Sequence, residues 1–204
     1  MNHKVNNVQM LHEDAMYMYN TLVMGGDNSA DAILHNLSQG IENLKTNWKG
    51  KDAGFRIQEV IGVHNAMVTV RNALAQLASD SARVASNYRE IQNANGAGLE
   101  TLTTLTFDAK TFIGDHTDTA DTIDINSMAE QGKRFIDTAN NLIGTFENDV
   151  KFRYQYIMEN WTMGSGRDSA RGAFDMFFAN VNKYKETLAD VSSNITKALQ
   201  NYTM

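Results

Sequence analysis

The chain contains no proline and no cysteine, and each absence excludes a class of structure. Proline lacks the amide donor and clashes with the preceding helical turn, so its absence from 204 residues favours long, lightly punctuated helices. Without cysteine there is no disulfide, no thiol nucleophile and no thiolate metal site. In an oxidising compartment, only the eleven methionines would be open to oxidation. Excess positive charge is also lacking: the formal net charge is -6, whereas a binder of phosphate backbones needs a basic face that displaces counterions. Nucleic acid is therefore not an expected partner. No segment reaches the ~20 consecutive apolar residues of a membrane-spanning helix, so no membrane span is expected. The N-terminal residues Met1-Asn2-His3-Lys4 lead into a polar amphipathic stretch and not into an apolar run ending at a small-residue cleavage site, so no signal peptide is expected.

What is present is helical periodicity, carried by a chain that is 42% hydrophobic and long enough to bury a core. Leu34, Leu37, Ile41 and Leu44 recur in steps of three and four up to Asn47-Trp48-Lys49-Gly50. Val150, Tyr154 and Ile157 lead in the same way to Asn160-Trp161-Thr162-Met163-Gly164. Shifting the first half by 113 residues before the tryptophan and 114 after it sets the two stripes in register: Leu44 meets Ile157, Val60 meets Phe174, Leu74 meets Leu188 and Tyr88 meets Tyr202. A repeated helix, turn and helix with matching stripes is the signature of a duplicated supersecondary unit. The expected fold is all-α, with tandem helix-turn-helix hairpins over 1–92 and 127–204 and a linker over 93–126.

Within the first unit Val8, Ala15, Tyr19 and Leu22 begin a stripe that Gly25-Gly26 interrupts. Adjacent glycines cost roughly 1 kcal/mol each inside a helix, so a kink or short break is expected there. No strand precedes them and no Gly-Lys-Ser/Thr follows, which argues against a phosphate loop. After Gly50 a helix of about forty residues carries Val60, Val63, Met67, Val70, Leu74, Leu77, Val84, Tyr88 and Ile91 in heptad-like steps, a length of about 60 Å. The linker opens at Asn95-Gly96-Ala97-Gly98 and is long for a compact domain; its scattered Leu99, Leu102, Leu105, Phe107, Phe112 and Ile113 suggest that it packs along the helices. Some 30 residues at about 3.3 Å each would return the chain along a full bundle. Ser127-Met128-Ala129-Glu130 reads as a capping box for the third helix, and Gly164-Ser165-Gly166-Arg167-Asp168 as a cap for the fourth. The second unit is richer in aromatic residues, so its core should interdigitate differently.

Candidate chemistry is sparse. Asp115, His116, Asp118, Asp121 and Asp124 offer oxygen ligands, but their spacing fits no calcium loop, and carboxylates are favourable before a helix N-terminus in any case. His12, His35 and His64 lie on separate stretches and form no Glu-x-x-His pair. No Gly-x-Ser-x-Gly elbow occurs, so no catalytic residue, metal or cofactor is expected. Lys45, Lys49, Lys51 and Arg56 at one turn and Lys151, Arg153, Arg167 and Arg171 at the other would suit an acidic partner, although cations near helix C-termini are favourable on their own. Trp48 and Trp161 read as anchors that close each hairpin.

A helical hairpin of this size with Trp-x-Gly at its turn resembles the WXG superfamily, the early-secreted-antigenic-target-like small proteins exported by type VII secretion. Trp48-Lys49-Gly50 matches the motif, and Trp161-Thr162-Met163-Gly164 stands in its place in the second half, one residue longer. The resemblance covers about 5–92 and 127–204. It implies an antiparallel four-helix bundle within one polypeptide, an intrachain pseudo-dimer and so a monomer, with Trp48, Gly50, Trp161 and Gly164 building the turns. The family's export signal, a tyrosine followed four residues later by an acid, falls on Tyr88 and Gln92, with Tyr202 as the tail tyrosine of the second half. The antiparallel arrangement would bring Tyr88 towards Trp161, and Tyr202 towards Trp48. The implied function is that of a non-enzymatic protein made in the cytoplasm and secreted without a cleaved leader. Its partners would be the type VII machinery with its motor ATPase and another WXG-type protein or secreted effector. The alternative is a cytosolic helical adaptor or chaperone for a larger secreted effector.

Overall fold

The computed structural model describes residues 4–117 and 131–202, apart from the side chains of Met163, Asn201 and Tyr202. The capping box at Ser127 and three of the acidic residues, Asp118, Asp121 and Asp124, lie outside the described residues. The described chain is mostly helical. Helix α1 (Val8–Tyr17) opens at Asn7, whose side chain accepts a bond from the Met10 amide. It widens into a π-helical stretch, Met18–Gly25, and ends at Gly26. Ser29 restarts the helix, its hydroxyl accepting the Ala32 amide at the head of α2 (Ala30–Asn47). The interruption expected at Gly25-Gly26 is thus a wide turn followed by a short loop.

Helix α3 (Lys51–Ala94) is 44 residues long and touches α1, α2 and the helix over Ser165–Tyr202, so much of its circumference is buried. Ile57, Val60, Ile61, Met67, Val68, Leu74 and Leu77 are all within 1% of full burial. Helix α4 (Lys133–Asn160) packs on α2 and α5 (Ser165–Tyr202), and α5 packs on α3. Gly132, just ahead of α4, lies against Asn43 and Leu44 near the end of α2. The apolar stripes close one continuous core. Between α4 and α5 that core is aromatic: Phe146 meets Phe177 edge-on at 5.9 Å between ring centroids, and Tyr154 meets Phe174 at 4.7 Å. At the corresponding places in the first half stand the aliphatic Ile33, Ile41, Val60 and Val63. One residue leaves the stripe: Ile91, near the C-terminal end of α3, is 59% exposed.

A two-stranded pairing accompanies the helices, with β1 (Lys4–Val5) antiparallel to β2 (Trp161–Met163). The Asn6 amide donates to the Asn160 carbonyl at 2.8 Å, and its side chain to the Glu159 carbonyl at 2.9 Å. Beyond the turn at Asn95-Gly96, residues 97–117 adopt no regular structure but run back along α3. Among the α3 side chains that hold this strap, Gln58, Asn65, Asn72, Ser79, Ser86 and Asn93 recur every seventh residue. Seven helical residues advance about 10.5 Å and three extended residues about 10 Å, so an extended chain stays in step with a heptad. Leu102, Leu105, Phe107 and Ile113 rest half-buried against the core, as expected of a linker that packs along the helices.

Candidate functional site at the second turn

Both tryptophans are buried, Trp48 at 4% and Trp161 at 1% exposure, and both carry β-bridge pairing at their turns. At the first, the Trp48 amide donates to the Leu44 carbonyl at 2.8 Å, and the chain reverses through Gly50 at φ 120° and ψ 170°. That backbone region is open essentially to glycine alone. Asn47 and Gly50 belong to a local reversal: the Gly50 carbonyl already accepts the Gly54 amide of α3 at 2.9 Å.

The second turn borrows its closure from distant parts of the chain. Trp161 begins the strand that pairs with β1, which ties the turn to the N-terminal residues. From α3, Asp80 brings a carboxylate that is only 8% exposed up to Gly166, in the first turn of α5. A Cβ at position 166 would collide with that carboxylate, so glycine is what admits it. Asp80 accepts bonds from Gln76 at 3.0 Å and from Arg83, and a negative charge at a helix N-terminus is favourable. Gln76, Asp80, Arg83, Asn87, Trp161 and Ser169 line a cleft of about 480 Å³ where α3 meets this turn. Tyr88 follows Asn87 and is half-buried against the core, whereas Gln92, a turn further on, is exposed. The structure therefore brings the neighbourhood of Tyr88 to Trp161. Leu44, one helical turn before Trp48, lies beside the start of α4, and Trp161 stands at its end, about 42 Å away for a helix of 28 residues. The expected approach of Tyr202 to Trp48 lies outside the described side chains. Gly164 accepts the Asp168 amide at 3.1 Å and so starts α5.

The basic residues around both turns are largely engaged within the chain. Arg153 bonds the buried Asp14 at 2.7 Å and lies 3.9 Å over the Tyr17 ring. Arg56 pairs with Glu59, Lys45 with Glu42, Arg167 with Asp168 and Arg171 with Asp175. These contacts spend most of the charge that an acidic partner would read.

One polar constellation was not legible from the sequence. Ser38 Oγ lies 3.2 Å from His64 Nε2, and His64 Nδ1 lies 3.1 Å from Asn65 Oδ1, beside a cleft of about 370 Å³ under Lys110 and Phe112. Burial lowers the His64 pKa below its usual 6.5. The order resembles a nucleophile relay, but Ser38 sits in mid-helix, where the backbone amides belong to the helix ladder and none is aimed at an oxyanion. Asn65 also clamps the strap, accepting the Ile113 amide at 2.9 Å and donating to its carbonyl at 2.9 Å. His12 Nε2 donates to the Thr103 carbonyl at 2.9 Å, and His35 is exposed. Asp115 accepts from Gln58 at 2.7 Å. Among the described residues no group of three or more His, Asp or Glu is placed to hold a metal ion, and no helix is long and apolar enough to cross a membrane.

Fold and site together define a mostly helical protein organised around α3, with a built cleft where that helix meets the second tryptophan turn. Comparison with protein-family models, with curated proteins and with solved structures finds no match.

Proposed function

We propose that the chain is a tandem WXG-like protein, non-enzymatic, made in the cytoplasm and exported by a type VII system to act through protein contacts outside the cell. The observation that carries this reading is Trp48-Lys49-Gly50 at the reversal between two long proline-free helices, with Trp48 buried and Gly50 at a φ of 120°. In this reading the two hairpins stack antiparallel as an intrachain pseudo-dimer and the chain is a monomer. Three contacts support that stacking. Trp161 lines a cleft with Asp80 and Asn87, Gly132 meets Asn43, and Arg153 meets Asp14, contacts that suit hairpins stacked with opposite ends together.

Tyr88 and Gln92 of α3 beside the Trp161 turn would form the face read by the export machinery. The test is an immunoblot of cells and culture supernatant, with a lysis marker, in strains with and without the type VII motor ATPase. Appearance outside only with the motor supports export; retention inside both strains removes it. The alternative, an adaptor that holds a secreted effector inside the cell, is favoured by the exposed apolar group Met10, Tyr17 and Phe152 between α1 and α4. Retention together with a co-purifying effector would select it.

A further inference from the structure

The hydrogen bonds that hold the strap on α3 run mostly to its main chain. Asn65, Asn72 and Asn93 each present a carboxamide that donates to one strap carbonyl and accepts the amide of the same residue: Ile113, Lys110 and Leu99 respectively, all at 2.7–2.9 Å. Ser79 and Ser86 donate to the carbonyls of Leu105 and Leu102, and Arg71 and Arg89 to those of Asp108 and Glu100. A carboxamide bonded in this way does what the edge of a β-strand does for a partner strand, and main-chain bonds of that kind accept many sequences.

We propose that this face of α3 is a binding site for extended polypeptide, filled in this structure by the chain's own strap and open to an extended segment of a partner protein when the strap lifts. Two further observations support exchange. No residue from 95 to 117 is fully buried, so the strap can leave without opening the helical core. Nor does helix packing require the ladder: at the matching places on α5, 114 residues on from Gln58, Asn65 and Asn72, stand Gly172, Ala179 and Glu186. A tether that had only to span the distance would need no such clamps. The partner segment that fits has apolar side chains three residues apart, as Leu102 and Leu105 are, and no proline where the amides of Leu99, Lys110, Ile113 and His116 are used. This proposal is independent of the route of export.

The test lifts the strap in the full chain with Leu102→Asp, Leu105→Asp and Ile113→Asp, using hydrogen exchange at the Lys110 amide to show release. The probe is a fluorescein-labelled peptide of residues 98–117. Anisotropy should report saturable binding at least about tenfold tighter to the released chain than to the wild type, where the tethered strap competes. A peptide with its polar residues permuted should bind equally well. Adding Asn65→Leu and Asn72→Leu should abolish binding of both. No binding to the released chain, or binding of the unpermuted peptide alone, overturns the proposal. Light scattering on the wild type supplies another outcome: a concentration-dependent dimer that the released variant fails to form assigns the groove to a second copy's strap and overturns the partner reading. Should the triple variant lose its helical circular dichroism, Gly96→Ala with Gly98→Ala releases the strap instead, because both glycines hold positive φ, 88° and 61°, where the chain folds back. The same outcomes then decide.

Discussion

The two tryptophan turns match in the sequence register, yet their described contacts differ: a glycine backbone shapes the first, and contacts with β1 and α3 shape the second. The first needs a glycine at φ 120° and the α2 carbonyl of Leu44. The second uses β1 from the N-terminus and the Asp80 carboxylate from α3. A turn shaped by one glycine's backbone answers to substitution at that residue, whereas a turn held by remote segments also reports whether those segments are in place. The cleft and the neighbourhood of Tyr88 lie at the second turn, where the halves of the chain meet.

Removing the second anchor should have the largest effect. Trp161→Ala is expected to cost about 3–5 kcal/mol, the usual loss for truncating a fully buried large aromatic side chain. A urea midpoint left unchanged would remove Trp161 from the core. Next comes the backbone of the first turn: Gly50→Ala forces a Cβ into a glycine-only region and should cost about 1–3 kcal/mol, with hydrogen exchange accelerating around residues 47–54 and not around Trp161. At the second turn, Gly166→Ala should cost about 1–3 kcal/mol by overpacking against Asp80. In an Asp80→Ala background the penalty should shrink, and a double-mutant cycle that gives simple additivity would show that the carboxylate is not what the glycine admits.

The smallest effect separates the halves by pH. His64 is buried in the first half, while Phe178 occupies its place in the second by the 114-residue shift. Because burial lowers its pKa, the unfolded chain binds more protons than the folded one below about 6.5, so this contribution to stability is intact above that value and lost as pH falls through it towards the lower folded pKa. Unfolding followed from pH 8 to 5 should show that loss in the wild type and a flatter profile in His64→Gln. Equal slopes would assign the pH dependence elsewhere.

The sequence exposed the elements more readily than their partners. The break at Gly25-Gly26, the long helix after Gly50 and the aromatic bias of the second core were all readable, since each depends on propensity and spacing within a few turns. The ladder from Gln58 to Asn93 was not: a polar residue every seventh position is what any solvated helix face presents, and nothing local tells that a strap lies on it. Asp80 and Gly166 carried no signal either, because their contact joins positions 86 apart. Ile91 belonged to the apolar stripe by spacing, yet it is exposed, since a stripe says which face is apolar and not where its neighbours stop.

By itself, then, the sequence determined an all-helical chain, the position of its reversals and which side of each helix is apolar, because hydrogen bonding within a helix and hydrophobic periodicity are local. Only the tertiary structure decided that β1 closes the second turn, that Asp80 lies at the head of α5, that His64 meets Ser38 and that the linker is clamped to α3 by its backbone. Those contacts form between groups far apart in the chain, and their free energy is gained only once the core has brought the groups together.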